Sequence, residues 1–243
     1  MIPNITRGKV INPPRILLYG VPGVGKSTFA SQAPAPIFLP CEEGSEQLDV
    51  ARFPVPNNYQ EVIEYLTSLA VEEHEFKSVV IDTLDKLEAI IWAEVAKEAG
   101  KNHIEEIGYA KGYVTALKKW EEITNILDTL RSKGMIVICL AHSIVKAHNA
   151  PGQDPYDRFR LALHEKAANQ LLAWCDMCLF ANYKVLLKTQ DGKRKLASNE
   201  SDRFLFTEER PAHWGKNRYG LPYEIQFEKD GSFDVIKQLI IGA

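Results

Sequence analysis

The residues from Gly20 to Ser27 have the spacing of a phosphate-binding loop, in which glycines precede a lysine and a hydroxyl residue. They follow an apolar run, residues 16–19, that predicts a buried strand. Glycine lets the backbone turn until several N–H groups point towards one anion. The alternative is a glycine-rich turn that binds nothing. The spacing favours a nucleotide-binding loop, formed by Gly20, Val21, Pro22, Gly23, Val24, Gly25, Lys26, Ser27 and Thr28.

Two side chains of this loop have chemistry of their own. The Lys26 amine can neutralise the β- and γ-phosphates, and the Ser27 hydroxyl can bind a Mg²⁺ ion between them. Asp82 ends a second apolar run, residues 78–81, in the position of the carboxylate that orients this ion. A helix cap is the alternative role for Asp82. The predicted cofactors are therefore ATP and Mg²⁺, with Ser27 and Asp82 as the metal-binding residues.

Two further polar residues follow apolar runs of the same kind. Glu42 comes shortly after residues 37–39, and His142 comes shortly after residues 135–140. The carboxyl ends of parallel strands meet at one edge of a sheet, where α/β proteins bind their ligands. For His142 the alternative is a histidine packed in the core. We expect four residues to converge on one site: Gly25, Glu42, Asp82 and His142.

The composition limits the class of protein. The 243 residues, 45% hydrophobic and 25% charged, suit one α/β domain over residues 1–243, with residues 1–14 as an amino-terminal arm. A net charge of −3 argues against a general polyanion-binding surface, so nucleic acid would have to bind a local patch. No apolar run approaches the ~18 residues that span a bilayer, and no signal sequence follows Met1. These features predict a cytoplasmic protein without a membrane partner.

The cysteines lie mostly in apolar runs, as reduced core thiols do. Cys175 and Cys178 form a C-x-x-C pair, but no second pair of ligands at zinc spacing accompanies it. Core packing is therefore favoured over a metal or redox role.

Apolar strands alternate with amphipathic helices along the chain. This order predicts an α/β fold with a mostly parallel, twisted sheet flanked by helices, and with antiparallel strands towards the carboxyl terminus. Two polar segments, residues 101–113 and residues 145–160, are expected to be exposed loops. They combine basic and aromatic side chains, among them Lys101, Tyr109, Lys111, Tyr113, Lys146, Arg158 and Arg160.

The serial order of these segments resembles the RecA-like P-loop ATPase core. Within that group it is similar to the phage ATP-binding proteins regarded as single-strand annealing or recombination proteins. The resemblance covers nearly the whole chain, and only its first segment is diagnostic alone. The segments are the phosphate loop and residues 38–42, 79–82, 138–142 and 214–218.

This resemblance implies roles for individual residues. Glu42 would activate the attacking water, with Glu43 as the other candidate, and His142 would contact the γ-phosphate where RecA has a glutamine. Lys216 and Arg218 look like the pair that reaches the nucleotide of a neighbouring subunit, which implies a homo-oligomer assembled head to tail as a ring or filament. The alternative is a basic pair on the surface. The implied catalytic set is Lys26, Glu42, Asp82, His142, Lys216 and Arg218.

The resemblance also places the two polar segments where RecA filaments contact DNA. Aromatic rings stack on bases of any sequence, and cations follow the phosphates, so such segments suit single-stranded DNA. The implied function is a Mg²⁺-dependent ATPase that binds single-stranded DNA and promotes annealing or recombination, in a bacterial host cell if the chain is phage-encoded. A single-stranded DNA-binding protein is a further candidate partner. The alternative function is a nucleotide-gated loader or regulatory switch that acts on a protein; a small-molecule kinase is a weaker third.

Overall fold

The computed structural model describes residues 7–8, 12–149, 152, 154–184, 187–190, 194–197, 202–228 and 232–241. Most of the predicted amino-terminal arm lies outside the described residues. The strands are β1 (Arg15–Gly20), β2 (Pro36–Pro40), β3 (Ala51–Arg52), β4 (Ser78–Asp82), β5 (Ile136–His148), β6 (Tyr156–Leu161), β7 (Met177–Tyr183), β8 (Leu187–Gln190), β9 (Arg194–Ala197), β10 (Arg203–Phe206), β11 (Lys216–Asn217) and β12 (Glu224–Gln226). The α-helices are α1 (Lys26–Ser31), α2 (Tyr59–Val71), α3 (Leu84–Glu98), α4 (Lys111–Ser132), α5 (Glu165–Trp174) and α6 (Ser232–Ile241).

The main sheet has the strand order β12-β10-β7-β1-β5-β4-β2-β3. The strands from β7 to β3 in this order all pair in parallel. At the other end, β10 runs antiparallel to both β7 and β12, and β11 runs antiparallel to β7. The predicted α/β class, with a mostly parallel sheet flanked by helices and antiparallel strands towards the carboxyl terminus, is confirmed.

Helices cover both faces of this sheet. Leu17 and Tyr19 of β1 pack into the cluster formed with α2, α3, α4 and α5, whereas Ile16 and Leu18 pack into the cluster formed with α1 and α6. Because both faces are buried, β1 is apolar along most of its length, as central strands of parallel sheets are. Among the described helices, none combines the length and the apolarity that crossing a bilayer requires.

The segment predicted as a polar loop, residues 145–160, contains most of a β-hairpin. β5 continues to His148 and pairs antiparallel with β6, from Ser143 opposite Leu161 to His148 opposite Tyr156. The loop prediction is wrong here because both strands carry polar side chains, so that the apolar alternation that indicates a strand is weak. The hairpin begins directly after His142, the expected site residue on β5.

Candidate functional site

The phosphate loop joins the end of β1 to the start of α1. A Cβ atom at Gly20 would lie 2.2 Å from the Ala181 carbonyl oxygen on β7, so the close approach of these strands requires glycine. Gly25 has a φ of 103°, a conformation that favours glycine, and α1 begins at the next residue. The strand, loop and helix that the sequence predicts are therefore present.

Lys26 lies inside the loop. Its Nζ donates hydrogen bonds to the carbonyl oxygens of Gly20 and Val21, each at 3.2 Å. Burial lowers the pKa of Lys26, while the carboxylates of Asp82, Asp85 and Glu42 oppose that change. The buried amine therefore lies among three carboxylates, in a position from which it can meet phosphate oxygens.

Asp82 ends β4 beside the loop, and its carboxylate accepts a hydrogen bond from the Ser27 side chain. Burial raises the pKa of Asp82, and the charges of Lys26 and His142 oppose this rise. A hydroxyl and a carboxylate oxygen thus lie together at the mouth of the phosphate loop. This pair suits Mg²⁺, which binds protein through one or two oxygen ligands and completes its shell with phosphate and water. The helix-cap alternative is not what the structure has, because Thr83 occupies the N-cap position of α3.

Glu42 lies two residues beyond the end of β2. The Thr83 hydroxyl donates to its Oε1 at 3.3 Å, and the Lys86 Nζ lies 3.3 Å from its Oε2. These two contacts hold the carboxylate facing the same space as the phosphate loop. Glu43 is exposed to solvent, so Glu42 is the better placed of the two candidates.

His142 is held by Asp85, a residue that the sequence reasoning missed. Asp85 Oδ1 accepts the backbone N–H of His142 at 3.0 Å, and Asp85 Oδ2 lies 2.9 Å from His142 Nδ1. With Nδ1 engaged in this way, the imidazole ring is fixed and its Nε2 is left for another partner. The signal in the sequence was a second carboxylate three residues after Asp82, but no local pattern paired it with His142.

These side chains surround one cavity of about 270 Å³. The predicted convergence is present, because β1, β5, β4 and β2 are successive parallel strands in the sheet. The ends of β1, β2 and β4 meet there, whereas β5 continues beyond His142 into the hairpin. Gly20 and Val21 contribute to the site through their carbonyl groups, whereas the side chain of Val24 packs in the core and Pro22 is exposed. The lining residues are Gly23, Gly25, Lys26, Ser27, Thr28, Glu42, Asp82, Thr83 and His142.

Lys216 and Arg218 lie away from this cavity, towards the amino-terminal ends of β1 and β7. Lys216 pairs with Cys178, level with Leu17 of β1, about 10 Å along the strand from Gly20. Its Nζ donates to the carbonyl oxygens of Leu172 and Ala173 at 2.8 and 2.9 Å. Arg218 donates to Asp176 Oδ1 at 3.2 Å. The structure therefore does not bring this pair to the phosphate loop of its own chain.

The segment at residues 101–113 is partly helical. It contains a turn of 3-10 helix at Ile104–Glu106, and α4 begins at Lys111. Tyr113 is consequently a helical residue, and its ring stacks on His164 with 4.4 Å between the ring centroids. The prediction of a loop over the whole segment is wrong, because the periodic apolar pattern of α4 starts only after Tyr113. Within this segment, three of the predicted nucleic-acid residues are exposed: Lys101, Tyr109 and Lys111.

The basic residues of the hairpin differ in their surroundings. Lys146 is exposed, but Arg158 is only 6% exposed. Arg158 Nη2 donates to Glu209 Oε1 at 2.6 Å and to two backbone carbonyl oxygens. Arg160 donates to His148 Nδ1, and its guanidinium lies 5.4 Å from the ring centroid of Trp214. The expectation that Arg158 lies on an exposed loop is wrong, because its charge is paired inside the protein.

Comparison with known proteins was made on the sequence and on the fold. No curated protein matches the chain. A KaiC-like protein, PH0186, from the hyperthermophilic archaeon Pyrococcus horikoshii OT3 is 15% identical, with a TM-score of 0.48 over 91% of this chain and 88% of its own. The flagellar accessory protein FlaH from Methanocaldococcus jannaschii is 10% identical, with a TM-score of 0.49 over 93% and 89% of the two chains. The family model AAA_24, described as an AAA domain, matches residues 12–219, and the chain therefore belongs to this family.

Proposed function

We propose that the protein binds ATP with Mg²⁺, hydrolyses it to ADP and phosphate, and couples this reaction to the binding of single-stranded DNA during annealing or recombination. The observation that carries the ATPase part is the single cavity shared by Lys26, Ser27, Glu42, Asp82 and His142. Membership of an AAA domain family supports the same reaction class. The DNA part rests on the surface next to that cavity and on the resemblance of the sequence.

In this proposal each side chain has one task in hydrolysis. The Lys26 amine neutralises charge on the β- and γ-phosphates, and Ser27 with Asp82 holds the metal ion. Mg²⁺ supplies charge stabilisation on the phosphate oxygens when bound. The Glu42 carboxylate takes a proton from the water that attacks the γ-phosphorus, and His142, fixed by Asp85, faces the γ-phosphate.

His164 contacts the first predicted DNA segment and is influenced by the charge of the second. The Tyr113 ring stacks on the imidazole, and burial lowers the pKa of His164, with the charges of Lys166 and Lys146 adding to that effect. Lys146 of the hairpin is thus close enough to His164 for its charge to affect the imidazole. A cation beside stacked rings is the combination that a single strand needs for its phosphates and bases. This placement supports the DNA proposal.

The surface is linked to the cavity through α3. Asp85 accepts hydrogen bonds from His142, and one turn later Glu88 accepts the His164 backbone N–H at 2.9 Å. The Ala162 N–H donates to the His142 carbonyl oxygen at the base of the hairpin. A movement of His142 on nucleotide binding would therefore act on both DNA-facing segments.

The shared-site part of the proposal concerns Lys216 and Arg218. The pair lies towards the amino-terminal ends of the parallel strands, away from the phosphate loop. This position is compatible with a head-to-tail oligomer, in which these strand ends of one subunit face the nucleotide of its neighbour. Each would have to leave its present partner, the α5 carbonyl groups for Lys216 and Asp176 for Arg218. An arginine that reaches a neighbour's γ-phosphate accelerates hydrolysis by roughly 10³-fold or more.

One observation favours the alternative, a nucleotide-gated switch that acts on a protein partner. Two of the expected DNA-binding cations, Arg158 and Arg160, are engaged within the chain, which leaves less free positive charge than the sequence suggests. A surface with few free cations is better suited to a protein than to a polyanion.

The deciding experiment measures ATP turnover with and without single-stranded DNA, alongside particle mass by light scattering. We expect the DNA to stimulate turnover and the active species to be an oligomer. Lys146→Ala should weaken DNA binding and reduce its dependence on salt, because one phosphate contact is lost. Lys97→Ala, which removes an exposed lysine at the end of α3, is the matched control. If neither ATP turnover nor particle mass changes when single-stranded DNA is added, the protein-partner function is favoured.

A further inference from the structure

A second group of side chains borders the phosphate loop on the side away from the carboxylates. Tyr183 is the last residue of β7, two residues beyond Ala181, which pairs with Gly20 at the end of β1. Its hydroxyl donates a hydrogen bond to the Gly23 carbonyl oxygen at 3.2 Å. The tyrosine ring therefore lies directly beside the loop.

Arg203 lies against the same ring. It is the first residue of β10 and pairs with Tyr183, and its guanidinium carbon is 5.8 Å from the centroid of the Tyr183 ring. A Cβ atom at Gly25 would lie 3.2 Å from Arg203 Nη1 and 3.4 Å from Phe227 Cζ. A guanidinium plane and aromatic rings are thus within contact distance of the loop backbone.

The strand order fixes the direction in which a bound nucleotide must extend. Glu42 follows β2, Asp82 ends β4 and His142 lies within β5, and these three strands all lie on one side of β1. The terminal phosphate of a nucleoside triphosphate must face these residues if they are to act on it. The opposite end of the molecule then leaves the loop on the other side of β1, where β7 and β10 carry Tyr183 and Arg203.

We propose that Tyr183 and Arg203 receive the nucleoside of the nucleotide whose phosphates the loop holds. The ring and the guanidinium plane offer stacking surfaces to a flat base, and the guanidinium N–H groups can donate to acceptors on the base or ribose. This inference rests on the proposed function, because it assumes that the loop binds a nucleoside triphosphate. It adds a reason for the chain to prefer a nucleotide to inorganic polyphosphate.

The test compares ATP with inorganic tripolyphosphate, each with Mg²⁺, by isothermal titration calorimetry. The wild-type chain should bind ATP more tightly, because only ATP has a nucleoside to place. Tyr183→Leu and Arg203→Gln should each weaken ATP binding about ten-fold, the scale of one lost stacking contact, and leave tripolyphosphate within about two-fold. Tyr183→Phe keeps the ring but loses the bond to Gly23, so it should bind ATP nearly as the wild type does. Thermal unfolding of each variant checks that it is folded.

Three results would overturn the inference, and they are distinguishable. Equal affinity of the wild-type chain for ATP and tripolyphosphate would mean that no nucleoside site exists. Parallel loss of both ligands in Tyr183→Leu and Arg203→Gln would mean that these residues only hold the loop in shape. Failure of the folded wild-type chain to bind either ligand would instead refute the proposed function itself.

Discussion

Glu88 carries a carboxyl group whose protonation should make the stability of this protein depend on pH. The residue is 4% exposed, so its carboxyl group is almost entirely removed from water. Burial raises the pKa of Glu88 from 4.5 to about 7, and the nearby charge of Asp85 adds to the rise. The His164 N–H bond, a hydrogen bond from the Trp120 side chain and the charge of Lys146 oppose it. The folded chain therefore holds this proton more tightly than the unfolded chain does.

The direction and the size of the effect follow from this difference. A raised pKa in the folded state contributes stability that is fully present below pH 4.5 and is lost as the pH rises through about 7. At about 1.4 kcal/mol for each pKa unit, the loss is about 3 kcal/mol. Glu88→Gln is neutral at every pH and cannot undergo this loss. The free energy of unfolding of the variant, relative to wild type, should rise by up to about 3 kcal/mol between pH 4 and pH 8.

Urea denaturation of both proteins across this pH range measures the difference. Glu64→Gln, which removes an exposed carboxylate from α2, gives the baseline for the loss of one surface charge. If the curves for wild type and Glu88→Gln remain parallel from pH 4 to pH 8, Glu88 is not a buried titrating carboxyl group, and the reasoning from its burial is refuted.

Three further changes test the nucleotide site. Lys26→Ala should abolish hydrolysis and weaken ATP binding in calorimetry, since the phosphates lose their cation in the loop; wild-type turnover would contradict this. Asp85→Asn should lower kcat about ten-fold with little change in ATP affinity, because one charge-assisted bond that holds His142 is lost; an unchanged kcat would count against that role. Mixed Glu42→Gln and Arg218→Ala proteins should recover activity if sites are shared; co-assembly without recovery would refute sharing.

The sequence was sufficient for the central sheet and the phosphate loop. Residues 16–19 and 78–81 are short apolar runs, and burial on both faces of a parallel sheet accounts for that pattern. The loop was recognisable because two of its positions require glycine. Ala181 approaches too closely for a side chain at Gly20, and Gly25 has a positive φ. The convergence of Glu42, Asp82 and His142 followed because the strands that position them are parallel neighbours.

The missed features depend on contacts between residues distant in sequence. Asp85 and His142 are 57 positions apart, and Arg158 and Glu209 are 51 apart, so no local pattern could pair them. The β5–β6 hairpin was not predicted because its strands carry polar side chains and lie beyond the buried part of the sheet. Arg203 was also missed because it is distant from the phosphate loop in sequence. It comes close to Gly25 because β10 pairs with β7.

The central claim is that this site hydrolyses ATP with Glu42 as the residue that activates water. Single-turnover hydrolysis by Glu42→Gln, measured beside ATP affinity and beside Glu43→Gln as the matched control, tests it most directly. We predict that Glu42→Gln binds ATP within a few-fold of wild type but hydrolyses it about 100-fold or more slowly, while Glu43→Gln behaves like wild type. Normal hydrolysis by Glu42→Gln, or the loss appearing in Glu43→Gln instead, would contradict the claim.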